Sequence, residues 1–331
     1  MQRQAEAFWL REPGSGELRP VSLAPPGPDE VRVRTTRSAI SRGTEALVFR
    51  GRVPPDQYRT MRAPFQEGDF PAPVKYGYLS VGVVEEGPTA LRGCTVFCLH
   101  PHQTAYVVPA DAVTVVPSEV PETRAVLTGI VETAVNALCD APPLLGDRVT
   151  VVGAGVLGCS VARLLARVPG VEVTLVDVDP ERATVAAALG AGFCLPDDAP
   201  AEQDLVFHTS ATSSGLQRSL GLLALEGTVV ELSWYGDDAT TVSLGGSFHS
   251  RRLSVRASQV GTVSASRRGR RTPGDRLALA LDLLRDPAFD VLLTGESPFE
   301  ELPQVMAALA DGRLPGLCHS IRYPEAAACS A

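Results

Sequence analysis

A chain of 331 residues is too long for one ordinary core, and 44% hydrophobic with 21% charged residues is the composition of a globular protein that can bury two. A formal net charge of -8 excludes a general binder of nucleic acid or of anionic membranes. No run approaches the roughly 18 apolar residues that cross a bilayer, and the charged stretch Met1–Arg11 lacks the apolar centre of a secretory signal. The seven cysteines, Cys94, Cys98, Cys139, Cys159, Cys194, Cys318 and Cys329, have no paired spacing, so we expect reduced thiols in a cytoplasmic protein.

The first 115 positions read as β-rich, with short strands expected at Val31–Thr35, Ser80–Glu85, Thr95–Leu99 and Ala105–Pro109 between clusters of Gly and Pro. Arg50–Pro73 is polar, proline-bearing and aperiodic, and is expected to form a loop or lobe. Val126, Ile130, Ala134 and Ala137 recur at helical spacing and predict one helix over Pro121–Ala141. From Asp147 onward strands and helices alternate. Strands are expected at Arg148–Val152, Val173–Val178, Asp204–His208, Thr228–Leu232 and Leu253–Ser258, and helices at Val156–Arg167, Pro180–Leu189 and Ser213–Leu225. That alternation predicts an α/β domain with a doubly wound parallel sheet. The tail predicts helices at Asp275–Arg285 and Phe299–Asp311 and a strand at Cys318–Tyr323. We therefore expect a β-rich domain from 1–120 and 266–331 and a dinucleotide-binding domain from 121–265. The basic run Arg267, Arg268, Arg270 and Arg271 lies among glycines and reads as a solvated loop.

Gly153-Ala154-Gly155-Val156-Leu157-Gly158 follows a strand and opens a helix. In that context the first glycine permits the tight turn, the second lets a pyrophosphate approach the backbone, and the third lets helix and strand pack closely. The helix start, at Val156 and Leu157, then offers free N–H groups and partial positive charge to phosphate. Asp177 ends the second strand about 20 residues on, where a carboxylate accepts from ribose hydroxyls and repels a 2′-phosphate. The expected cofactor is NAD rather than NADP, with Arg182 nearby as a complication.

A β-rich N-terminal domain followed by this cofactor domain resembles the medium-chain dehydrogenase/reductase superfamily, a Rossmann sheet plus a GroES-like catalytic domain. Ser38-Ala39-Ile40-Ser41-Arg42-Gly43-Thr44-Glu45 and Lys75-Tyr76-Gly77-Tyr78 look more narrowly like a zinc-independent branch. That branch includes bacteriochlorophyllide a dehydrogenase, which oxidises a 1-hydroxyethyl group to an acetyl group. By pattern matching, Ser41, Tyr78 and Gly129 stand where zinc-dependent members place their three metal ligands, and Leu79 replaces the glutamate that follows the second. Serine, tyrosine and glycine do not make a tetrahedral zinc site, so no metal is expected. The alternative is a rebuilt site using His100, His102, Glu45 or Glu132. The resemblance also implies that Arg42 contacts the cofactor pyrophosphate and that Thr133 packs near the nicotinamide. Ser210, Ser233 and Ser258 are placed at the cofactor edge by position alone.

Without a metal, a side chain must move the hydroxyl proton. His100 is the first candidate, since an ordinary imidazole near pKa 6.5 suits proton transfer. Tyr78 is the second, helped electrostatically by Lys75, the chain's one lysine. Thr44 resembles a hydroxyl relay, and Glu45 and Glu132 are expected to bond Arg42 or the ribose, or to act as the base. His249 is assigned to the surface. The resulting expectation is an NAD(H)-dependent oxidoreductase that interconverts a small secondary alcohol and a ketone. The alternatives are a zinc-free enoyl or quinone reductase and a non-catalytic NAD(H)-binding protein. A homodimer paired through Leu253–Gly261 is expected by analogy.

Overall fold

The computed structural model describes residues 3–324. Cys329 and the extreme ends of the expected first domain lie outside them. The chain divides into two compact units, one of 1–129, 281–285 and 293–331, the other of 130–280 and 286–292.

The first unit holds two sheets. A long antiparallel hairpin, Arg3–Glu12 with Ser15–Leu23, leads a four-stranded sheet, turning at Gly14 where φ is +80°. Ala5, Ala7, Phe8 and Leu10 are buried along its first strand, so burial there does not follow a simple two-residue alternation. This hairpin was not expected from sequence, because its buried residues Ala5, Ala7, Phe8 and Leu10 do not keep the two-residue period of a half-buried strand. The second, seven-stranded sheet is built on Glu30–Ile40, which pairs with Ser80–Glu86, Ala105–Pro109 and Cys318–Arg322. The returning strand Cys318–Arg322 thus completes this sheet, with the unforeseen Leu293–Pro298 beside it. Val31, Val33, Val84, Val96, Tyr106 and Val108 form its core. Helices Arg42–Phe49 and Leu302–Ala310 belong to the same unit. Arg50–Pro73 contains only a short 3-10 turn and a two-residue strand, as a polar loop should.

The second unit is a six-stranded, fully parallel sheet. In chain order its strands are Arg148–Val152, Glu172–Val176, Gly192–Cys194, Gln203–His208, Leu223–Glu231 and Ser254–Ala257, arranged 3-2-1-4-5-6. Helices Val156–Leu165, Arg182–Ala188 and Ser213–Leu222 connect them. Val152, Val176, Val206, Leu216, Leu220 and Val229 close one core. The edge strand Ser254–Ala257 is exposed along its length.

Two expectations are corrected. The single helix over Pro121–Ala141 is two, Glu122–Ala125 and Thr128–Asp140. At the break the Thr128 hydroxyl donates to the Ala125 carbonyl at 2.6 Å, a local side-chain bond that competes with the helical ladder. The domain boundaries also shift, since residues 266–280 group with the dinucleotide unit. Within that unit the Arg276 guanidinium donates to Glu132 at 2.9 Å, Asn136 at 2.6 Å and the Val260 carbonyl at 2.5 Å. Among the described residues no helix is long and apolar enough to cross a membrane.

Candidate functional site

In the second unit the glycine turn has the geometry its spacing predicts. Gly153 sits at φ +108°, and a Cβ there would lie 2.7 Å from the Ser210 nitrogen. A Cβ on Gly158 would meet the Gly153 carbonyl oxygen at 1.9 Å, so helix and strand close on each other only because it is glycine. Gly155, by contrast, is exposed and faces open space. It is the N-cap of helix Val156–Leu165 and supplies no side-chain cap, and Val156 and Leu157 are only partly buried. Open space, free amides and the positive end of a ten-residue helix together fit a pyrophosphate. Asp177 accepts the Ala154 N–H at 2.6 Å and the Asp179 N–H at 2.9 Å, which anchors its carboxylate against the turn. Arg182 pairs with Asp179 at 3.2 Å. Replacing Gly158 with Ala is expected to abolish NADH binding and lower the melting temperature, because backbone must move. Fluorescence titration of NADH with a parallel thermal melt checks this.

The three serines have different surroundings. The Ser210 hydroxyl lies 2.7 Å from His208 Nε2, and Ser233 Oγ accepts the Ala211 N–H at 3.1 Å. Ser258 is buried and donates to Asp140 at 2.6 Å. It fastens the end of strand Ser254–Ala257 to helix Thr128–Asp140. Thr133 is half-buried on that helix. Glu132 on the same helix is bonded to Arg276; burial raises its carboxyl, with the Arg276 charge opposing.

The first unit gathers most of the other candidates. Helix Arg42–Phe49 starts at Ser41, whose N–H donates to Glu45 Oε1 at 2.8 Å. Glu45 Oε2 lies 2.9 Å from His102 Nε2, His102 Nδ1 lies 2.7 Å from Ser38 Oγ, and Ser38 Oγ lies 3.0 Å from the Tyr323 hydroxyl. All four side chains are buried, and so form a continuous polar chain inside apolar surroundings. Tyr78 is only partly buried, and its hydroxyl is hydrogen-bonded to the side chains of Ser41 and Thr44. Burial, and then the Glu45 charge, push its phenol up to about 12. It stays protonated at neutral pH and is a proton donor before it is a base.

His100 departs from its expectation. Its ring stacks on Tyr106 at 3.8 Å and on Phe65 at 5.6 Å. Nδ1 is 2.9 Å from the Pro101 carbonyl, which can only accept, so Nδ1 carries the proton. Burial, and then the Lys75 charge, push the imidazole down to about 3. At neutral pH it is an uncharged acceptor and a weak base. Lys75 is buried and bonded to Glu67 and, at 2.7 Å, to Gln103 Oε1, so it acts on His100 and not on Tyr78. Arg42 donates to the Gly316 carbonyl at 2.8 Å. His249 is exposed.

The donors present do not fit the zinc that the sequence resemblance would imply. Ser41 and Tyr78 are bonded to each other, and a Cβ on Gly129 would meet Leu79 Cδ2 at 2.6 Å, so the third position is walled by hydrocarbon. Among the described residues no group of three or more His, Cys, Asp or Glu could hold a metal ion. Of the rebuilt-site candidates, Glu45 and His102 are spent on each other and His100 on its stack.

Sequence reasoning passed over Ser38, Tyr323, His208 and Glu231. The last two carried a readable signal. Each is an ionisable residue directly after an apolar stretch of a parallel strand, Leu205–Phe207 and Val229–Val230, a position that requires a partner when buried.

Comparison with known proteins bears on these units. A model of the NAD-binding domain of 3-hydroxyacyl-CoA dehydrogenase matches residues 148–191. No curated protein matches the chain in sequence. Among solved structures it is similar to L-idonate 5-dehydrogenase from Escherichia coli, at TM-score 0.79 and 15% identity over 97% of this chain and 99% of that one. An Escherichia coli alcohol dehydrogenase complexed with NADH is similar at TM-score 0.76 and 16% identity, over 96% and 99% of the two chains. 2R,3R-butanediol dehydrogenase from Bacillus subtilis is similar at TM-score 0.76 and 15% identity, over 97% and 100%. These likenesses span both units, and the chain therefore has the medium-chain dehydrogenase/reductase fold, a GroES-like β-rich unit with a Rossmann unit.

Proposed function

We propose that the protein is a zinc-independent, NAD(H)-dependent oxidoreductase that interconverts a secondary alcohol and a ketone. The observation that carries the reading is the Ser41–Tyr78–Thr44 hydroxyl cluster, two members of which stand, by the sequence resemblance, at metal-ligand positions of zinc-dependent enzymes. The glycine turn and Asp177 support the cofactor. When bound, nicotinamide accepts or supplies the hydride. In the direction of reduction, Tyr78 gives its phenolic proton to the ketone oxygen as that oxygen gains negative charge. The phenolate left behind accepts hydrogen bonds from the Ser41 and Thr44 hydroxyls, and one proton taken up from solvent per turnover restores the phenol. In oxidation the same proton travels back. Glu45, held by His102 and the Ser41 N–H, keeps the phenol protonated between turnovers by its charge.

The test is NADH consumption by the purified protein with panels of simple ketones and of enones, alongside metal analysis. Ketone turnover that persists after dialysis against a chelator is the expected result. Zinc at one equivalent whose removal stops turnover would sink the metal-free reading, and exclusive reduction of enone double bonds would replace it with a conjugate reductase. For the cofactor, NADH should bind at least about tenfold more tightly than NADPH, because the Asp177 carboxylate repels a 2′-phosphate. Asp177→Ala should erase that preference. We also propose that the exposed edge Ser254–Ala257 pairs two copies of the chain, which light scattering at several concentrations would show.

A further inference from the structure

At the sheet's carboxyl edge lies a second buried polar relay. The strand order reverses between Arg148–Val152 and Gln203–His208, and ligands of open α/β sheets bind at that switch point. His208 ends its strand there, in register with Val152 on one side and Glu231 on the other. Its imidazole is buried, with Nδ1 2.7 Å from Glu231 Oε2 and Nε2 2.7 Å from Ser210 Oγ. Glu231 also accepts the Ser233 N–H at 2.7 Å and the Tyr235 hydroxyl at 3.0 Å. Burial works to raise the Glu231 carboxyl, but the His208 contact outweighs it and holds the group below the usual carboxylate range.

The neutral form of the His208 ring gives one consistent set of proton directions along this chain. An ionised carboxylate only accepts, so Nδ1 carries the proton and, with the ring neutral, Nε2 accepts from Ser210 O–H. Thr212 Oγ1 already accepts the Gly215 N–H at 3.0 Å, which leaves its own hydroxyl to donate to Ser210 Oγ, also 3.0 Å away. Ser210 is then left with one unused lone pair. Its backbone walls the glycine turn, for a Cβ on Gly153 would sit 2.7 Å from the Ser210 nitrogen. A second feature points to the same hydroxyl. Gly215 stands in the first turn of helix Ser213–Leu222, where glycine is costly. A Cβ there would lie 2.2 Å from Ser210 Oγ and 2.8 Å from His208 Nε2, so the helix gives up a better residue to leave room for the relay.

We infer that Glu231 and His208 are positioning residues that present the Ser210 oxygen as an acceptor for a ribose hydroxyl of the dinucleotide, an inference that rests on the reading of this unit as an NAD(H) site. A lone pair suits an O–H donor and repels a phosphate oxygen, which separates this contact from that of the glycine turn.

The test is fluorescence titration of NADH into wild type, Ser210→Ala, His208→Phe, His208→Gln and the Ser210→Ala/His208→Phe double variant, each first checked by thermal melting. Losing one hydrogen bond should weaken NADH on the order of tenfold in each of the first two single variants. The double variant should be no weaker than either, because both remove the same contact. His208→Gln, whose amide oxygen can accept from Ser210 in place of Nε2, should recover most of the affinity. A folded His208→Phe with unchanged affinity overturns the inference, as does a double variant whose losses multiply. If His208→Phe folds poorly, Glu231→Gln replaces it and reads the same coupling. Failure of wild type itself to bind NADH would overturn the cofactor reading and this inference with it, an outcome distinct from wild-type binding that ignores His208.

Discussion

Tyr78→Phe is expected to leave NADH affinity unchanged and to slow ketone reduction by at least about a hundredfold, the usual contribution of a positioned proton donor. The variant keeps the ring and removes only the hydroxyl that Ser41 and Thr44 hold. A phenol pushed up to about 12 stays protonated across the working range, so Tyr78 should contribute no inflection between about pH 6 and about pH 9. His100, pushed down to about 3, should contribute none there either. Steady-state rates as a function of pH, with cofactor affinity measured separately, check both statements. A loss below about threefold would make Tyr78 a filler of space and not the proton donor. A clear inflection near neutrality would direct attention to another group.

Arg276→Ala should cost about 3–5 kcal/mol of stability, because it leaves Glu132 buried without its partner. Both side chains are nearly inaccessible, and the same guanidinium also serves Asn136 and the Val260 carbonyl. The loss should depend on pH in a defined direction. Burial already raises the Glu132 carboxyl, and without Arg276 it rises further above its unfolded value. A carboxyl whose folded value is raised is tolerated while protonated and destabilises as pH climbs through that value. The variant should therefore lose more relative to wild type at about pH 8 than at about pH 5. Denaturant melts at the two values check it, and equal losses would show that the pair is not buried as an ion pair.

The second unit was the more legible of the two. Its strand Arg148–Val152 and the turn Gly153–Gly158 stand where periodicity and glycine spacing put them, because a parallel strand buried on both faces is an apolar run and a phosphate turn needs glycine at set intervals. The hairpin Arg3–Leu23 was hidden because its buried residues Ala5, Ala7, Phe8 and Leu10 break the two-residue period. His100 was misjudged because its ordinary titration was assumed, whereas burial and Lys75 decide its charge.

Local chemistry alone determined the Rossmann turn, the Asp177 position and the hydroxyl-bearing residues at 41, 44 and 78. Each is a matter of residue type at close spacing. Only the tertiary structure decided which polar groups share a proton. Ser38 and Tyr323 are 285 positions apart, Glu45 and His102 are 57 apart, and His208 and Glu231 are 23 apart. They meet because the last strand returns to the first unit's sheet and because His208 and Glu231 come into register side by side in the parallel sheet. Hydrophobic burial drives the sheets together without regard to these side chains, and the polar groups carried inside must then pair with whatever the register brings within reach.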